Sequence, residues 1–356
     1  MEARRDSSKT PGFDAQLQAF AYQGLPTFAR RPLLTEPEQL DQRKPDVAII
    51  GAPWDDSTTY RPGARFGPRA LRCQVGSAGS GYQLDARMSL FDYLDVVDFG
   101  DAICSPGMVE ASHCAIRERV SEVVRRGIVP IVLGGDHSVT WPAATAVADH
   151  HGFARVGMIH FDAHADADDV IAGNRASHGT PMRRLIESKA IAGSDFVQIG
   201  LRGYWPCDDT LDWMHSQGMR AHTMTEIWER GCRKVVQDVV DWARGGPNAF
   251  YLSVDVDVLD PGFAPGTGTP EPGGMTSIDL LQAVRRVARE VNIVGMDVVE
   301  LSPPYDQSDV TTHIALRVIF EALVAMAQRR RDSEPAQESR PTASLNGVQD
   351  RHWHSV

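Results

Sequence analysis

Residues 156–169 read VGMIHFDAHADADD, an apolar run that stops abruptly in four acids and two imidazoles. Such a run, followed at once by polar groups, is the pattern of a strand buried on both faces whose carboxyl end opens onto a site. Seven further short runs share this character: DVAIIGAP from Asp46, YLDVVDFG from Tyr93, IVPIVLGG from Ile128, DFVQIGLR from Asp195, MRAHTM from Met219, AFYLSVDVD from Ala249 and NIVGMDVVEL from Asn292. Segments with helical spacing lie between most of them, among them 109–126, 225–244, 277–291 and 313–328. Eight strands alternating with helices predict an α/β fold with a parallel sheet covered by helices on both faces. In such sheets ligands bind beyond the carboxyl ends of the strands, where the polar clusters of this chain fall.

Composition excludes several classes of function. The 356 residues carry 36 Lys and Arg against 47 Asp and Glu, a net charge of −11, and no basic stripe tracks along a predicted helix, so nucleic acid is not an expected partner. No apolar stretch reads as a membrane span, and the start MEARRDSSKTPG lacks the apolar segment of a secretory signal, which leads to the expectation of a cytoplasmic protein. Five scattered cysteines without a Cys-x-x-Cys pair argue against a disulfide framework or zinc ribbon. The polar ends, residues 1–12 and 330–356, are expected to be disordered. Residues 13–329 show no internal linker and read as one domain.

Three clusters carry the chemistry. In IVLGGDHS (131–138), Gly134 and Gly135 allow a sharp turn before Asp136 and His137, although a plain strand-to-helix turn has the same look. In the opening stretch Asp162, His164 and Asp166 are spaced by two. An extended chain would therefore project all three to one side, where uncompensated carboxylates would repel one another without a cation. In LSVDVDVLDP (252–261), Asp255 and Asp257 share one strand face by the same logic, the alternative being an acidic strand end that reaches solvent. Together His137, Asp162, His164, Asp166, Asp255 and Asp257 form an imidazole and carboxylate set without thiolate, suited to a divalent ion such as Mn²⁺. Six donors exceed the needs of one catalytic ion and match a two-ion centre.

These motifs, GGDHS, DAHAD, and SVDVDVLDP followed by GTGTPEPGG, resemble in order and spacing those of the ureohydrolase family that includes arginase and agmatinase, over residues from about 46 to 329. The resemblance implies a three-layer α/β/α fold with a central eight-stranded parallel sheet and two Mn²⁺ per chain, with Ni²⁺ an alternative. His137, Asp162, Asp166 and Asp255 would hold one ion, and Asp162, His164, Asp255 and Asp257 the other. It further implies Glu300, in GMDVVELSP, as the guanidinium partner and His178, in ASHGTPM, as a proton relay. Thr269 would lie at the substrate loop or behind a ligand. The implied reaction is hydrolysis of a guanidino compound to urea and an amine, by attack of a metal-bridging hydroxide on the guanidinium carbon, in a homotrimer or homohexamer.

The stretches YQGLPTFARRPL and GAPWDDSTTYRPGARFGPRALR resemble the agmatinase and guanidinobutyrase branch, which makes agmatine or 4-guanidinobutyrate the expected substrate, with guanidine or a small substituted guanidine as the alternative. The tail would be read by loops 55–65, 168–175 and 203–208. Asp168 is a candidate contact, Tyr204 and Trp205 offer an aromatic wall, and Arg175 or Arg202 would serve an acidic tail. Of the remaining histidines, His113, His150, His151, His215 and His222 read as surface or structural, and His160 as packing beside Asp162. A one-zinc deacetylase and a non-catalytic assembly subunit are the rival readings.

Overall fold

A computed structural model describes residues 24–74 and 81–333. The eight apolar runs form eight strands: β1 (Val47–Gly51), β2 (Val96–Asp101), β3 (Val129–Leu133), β4 (Val156–Phe161), β5 (Phe196–Leu201), β6 (Arg220–Thr223), β7 (Ala249–Asp255) and β8 (Ile293–Val299). All pair in parallel, in the order β2-β1-β3-β8-β7-β4-β5-β6. Helices cover both faces, and each face has its own buried apolar cluster. The chain leaves β3 and crosses past two positions to reach β4, and β7 and β8 later fill the gap. That crossover creates a crevice above the four central strands, β3, β8, β7 and β4.

Burial explains which runs pair where. The interior strands β4 and β7 are buried at every residue, whereas β6, at the edge, is mostly exposed and carries Arg220 and His222. At the other edge the segment before β1 covers β2: Leu34 N–H donates to Asp98 O (2.8 Å) and Asp98 N–H to Pro32 O (2.9 Å). Capping that edge with irregular chain removes a free row of backbone donors.

Two boundaries differ from the sequence expectation. The helix expected over 225–244 is two, Met224–Arg230 and Cys232–Arg244, because Gly231 adopts φ 85° between them. The last helix runs Val310–Ser333 and so takes the first residues assigned to a disordered tail. It is also long and apolar enough to cross a membrane, but most of it is buried against the sheet and helix Ser277–Glu290, and its apolar surface is thereby used in the core. The expectations for residues 1–12 and 334–356 lie outside the described residues.

Candidate metal centre

The carboxyl ends of three of the four central strands, β3, β4 and β7, deliver all six expected donors to one place. β3 exits through Gly134 and Gly135 to His137. A Cβ on Gly135 would stand 1.7 Å from Trp54 O, so only glycine permits the exit loops of β1 and β3 to touch. Asp136 is not a ligand: it takes the Ser138 N–H and hydroxyl (3.0 and 2.6 Å) on one oxygen and the Ser57 N–H and hydroxyl (3.2 and 2.6 Å) on the other. It starts the turn and ties it to the loop after β1.

The extended geometry invoked for the other two clusters is replaced by turns. β4 ends at Phe161, Asp162 Oδ1 accepts the His164 N–H (2.6 Å), and Asp166 has φ 48°. β7 ends at Asp255, whose Oδ1 accepts the Asp257 N–H (2.8 Å) as a 3-10 turn over Val256–Val258 begins. Each cluster thus folds on its own first aspartate, because a buried carboxylate at a strand end captures the nearest free N–H.

The donors converge closely. His137 Nδ1 lies 3.0 Å from Asp162, 2.9 Å from Asp166 and 3.2 Å from Asp255, all through Oδ2. His164 Nδ1 lies 3.0 Å from Asp257 Oδ2 and 3.6 Å from Asp162 Oδ1. Despite those neighbours, the fully buried His137 Nδ1 has no hydrogen bond of acceptable geometry. One imidazole nitrogen among three carboxylate oxygens is poorly served by a proton and well served by a cation. The electrostatics agree. Burial lowers the His137 and His164 pKa, but the surrounding carboxylates outweigh it and raise both well above the usual value. Burial together with Asp257 and Asp162 pushes Asp255 well above the carboxylate range. The cluster therefore gains by taking up positive charge, and its donors fit a pair of divalent ions.

A row of buried polar side chains, one layer below, holds these donors. Asp297, Ser253, His160 and Gln198 stand in register across β8, β7, β4 and β5. Ser253 Oγ donates to Asp297 Oδ1 (2.7 Å) and meets His137 Nε2 (2.9 Å), which leaves Nδ1 free for the centre. His160 meets Asp162 Oδ2 through Nε2 (2.8 Å) and Gln198 Nε2 through Nδ1 (3.0 Å), so both its nitrogens are occupied and it orients Asp162. Each of the four interrupts an otherwise apolar strand, and that signal identifies them in the sequence.

A cavity of about 270 Å³ opens over the cluster, lined at its floor by His164, Asp166, Asp255, His178 and Glu300. Glu300, 1% exposed, follows β8 at φ 61° and accepts the His137 N–H on Oε1 (2.9 Å), while Oε2 has no partner. Left-handed backbone at Asp166 and Glu300 costs ~1 kcal/mol each and persists because the surrounding turns enforce it. His178 bridges Glu300 Oε1 through Nδ1 (2.9 Å) and Thr59 through Nε2, where the Thr59 N–H (3.2 Å) and hydroxyl (2.8 Å) both meet it. Burial lowers the His178 pKa, yet the Glu300 carboxylate raises it to about 9. Nothing in DDSTTY marks Thr59 as the partner of a histidine 119 residues away.

The substrate-tail candidates separate. Thr269 and Trp205 line the cavity, with the Thr269 hydroxyl donating to Asp257 Oδ2 (3.2 Å). Asp168 does not: it is buried with its carboxylate taken by the Thr210 hydroxyl. Tyr204 is fully exposed and walls nothing. Arg175 pairs with Asp169 (2.9 Å) and Glu187 (3.0 Å), and Arg202 is spent on backbone carbonyls of the 257–259 and 271–272 segments. His113 is buried rather than superficial, between Trp54 and Trp141, with Nε2 3.1 Å from Ser138 Oγ.

Comparison with known proteins agrees with this arrangement. A model of the Arginase family matches residues 45–325. The chain is 39% identical to proclavaminate amidinohydrolase of Streptomyces clavuligerus over 87% of its own length and 96% of that protein. It is 41% identical to guanidinopropionase of Pseudomonas aeruginosa over 88% and 95% respectively. The solved S. clavuligerus structure superposes with a TM-score of 0.79 at 38% identity, covering 87% of this chain and all of that one. Trypanosoma cruzi formiminoglutamase, crystallised with Mn²⁺, superposes at 0.74 and 25% identity, covering 80% of this chain and 95% of that one.

Proposed function

The chain belongs to the arginase family, and on that premise we propose that it is a ureohydrolase, cleaving a guanidino compound to urea and an amine. The observation that carries this reading is the unpartnered Glu300 Oε2, a buried carboxylate oxygen lining the cavity beside the six donors. A planar guanidinium offers the fork of N–H groups such an oxygen lacks, and its charge is balanced by a carboxylate that is itself buried.

His137, Asp162, Asp166 and Asp255 would hold one divalent ion, and Asp162, His164, Asp255 and Asp257 a second; we propose Mn²⁺, with Ni²⁺ the alternative, since the donors are nitrogen and oxygen only. When bound, the pair supplies Lewis acidity and activates water near neutral pH. Glu300 fixes the guanidinium plane by accepting its N–H groups on Oε2, while Oε1 stays engaged by His137 N–H and His178. His178 moves a proton to the departing amine. The Thr59 N–H makes Nε2 an acceptor and keeps the proton of the neutral ring on Nδ1, against Glu300. The Thr59 hydroxyl can donate to Nε2 of the neutral ring or accept from it once the ring is protonated, when the Thr59 N–H loses its acceptor. Thr269 steadies Asp257.

A one-zinc deacetylase would leave several of the six donors without a role, and an assembly subunit would have no need to keep all of them. We also propose a homotrimer or homohexamer, to be settled by light scattering, and a cytoplasmic location, in keeping with five free cysteines. The deciding experiment loads the protein with Mn²⁺, then Ni²⁺, and measures urea from agmatine, 4-guanidinobutyrate, 3-guanidinopropionate, arginine and guanidine. Urea from at least one, strongly reduced in Glu300→Gln, is expected; silence across the panel with both metals rejects the reading.

A further inference from the structure

The outer half of the cavity is neutral. Above the ionic floor its lining consists of Thr59, Ile171, Gly179, Trp205 and Thr269, with no Lys, Arg, Asp or Glu among the described residues. Several neighbouring charges are committed elsewhere. Arg175 is paired with Asp169 and Glu187, Arg202 with backbone carbonyls, and Arg61 lies against the rings of Tyr60 and Tyr305. On the acidic side Asp168 is held by the Thr210 hydroxyl, and Asp169 by Arg175 and Arg184.

The two largest lining groups are apolar and built into place. Loop 171–174 closes on itself through paired backbone bonds between Ile171 and Asn174 (3.1 and 2.8 Å). Gly179 then leaves room for the Ile171 side chain, since a Cβ there would stand 2.4 Å from Ile171 Cδ1. Trp205, half exposed, stands at the same end.

We infer that the substrate is guanidine itself or a guanidine with a short uncharged substituent, and that Ile171 and Trp205 determine this choice. The inference rests on the ureohydrolase reading and narrows it. A carboxylate or ammonium within reach of Ile171 and Trp205 would lose hydration without gaining a partner, whereas a hydrogen, methyl or ethyl group loses nothing polar.

The test measures urea released by metal-loaded protein from guanidine, methylguanidine, ethylguanidine, agmatine and 4-guanidinobutyrate, and quenching of Trp205 fluorescence by the same compounds with Trp205→Phe as the blank. The expected result is a kcat/KM at least about tenfold higher for the best uncharged guanidine than for either charged one, with the same order in binding. Ile171→Arg should narrow or reverse that gap for 4-guanidinobutyrate while leaving agmatine poor. Faster urea release from agmatine or 4-guanidinobutyrate in the unaltered protein would overturn the inference and leave the ureohydrolase reading standing. No urea from any compound would overturn both.

Discussion

The floor and the mouth of one cavity are built on opposite terms. At the floor the ends of β3, β4 and β7 supply the donors and the end of β8 supplies Glu300, and the Asp297, Ser253, His160 and Gln198 row beneath holds His137 and Asp162. At the mouth two loops contribute Ile171 and Trp205, held by a tight backbone turn and a glycine gap, with no charge committed to a ligand. The floor lies where the sheet itself sets distances, so its geometry is shared with the rest of the fold. The mouth lies on connections that change without disturbing the core, which is where substrate choice can differ between proteins of similar chemistry.

The comparison predicts a graded series of effects. Asp255→Asn, which removes the donor proposed above to serve both ions, is expected to reduce urea release to background and to lower bound metal by roughly one ion per chain or more, read by elemental analysis; full metal content with full activity would contradict the floor as drawn. His178→Asn should lower kcat ~10²- to 10⁴-fold with a small change in KM, together with an altered pH profile. Asp297→Asn, which touches neither metal nor substrate, should weaken metal binding ~10- to 100-fold in a chelator competition. An unchanged affinity would mean that the buried row serves packing alone.

Trp205→Ala should raise KM about tenfold at nearly constant kcat, because the mouth contributes burial rather than chemistry. A large fall in kcat would move Trp205 to the floor. His113 tests the packing behind the site. Burial lowers its pKa to about 4, below the usual 6.5, so the unfolded chain binds more protons between those values. Stability from this group is fully present above pH 6.5 and is lost as pH falls toward 4, on the order of 3 kcal/mol. His113→Phe should flatten that part of the melting-temperature curve; an identical slope in both proteins would refute the assignment.

All eight strands were anticipated in the sequence, seven of them because continuous apolar runs of five to seven residues have few other ways to be buried, whereas the four-residue edge strand β6 is polar and mostly exposed. The six donors were legible from residue type and position after those runs. Their approach was not: extended chain was expected, and Asx-type turns with a left-handed Asp166 bring the carboxylates together instead. His160 was read as packing, yet it bonds Asp162, and the single polar residue in each neighbouring strand was the available clue. Asp168 was read as facing the substrate, but an acid in a loop carries no mark of which side it turns to, and Thr210 captured it.

What the sequence determined alone is therefore the parallel sheet and the stock of donors, since both follow from local pattern: apolar periodicity sets burial, and residue chemistry sets what can ligate. Tertiary structure decided that the three clusters converge, that Thr59 meets His178, and that Ile171 and Trp205 line the mouth. Those facts depend on strand order and loop closure, where residues more than a hundred positions apart come within 3 Å, and no local pattern encodes such a distance.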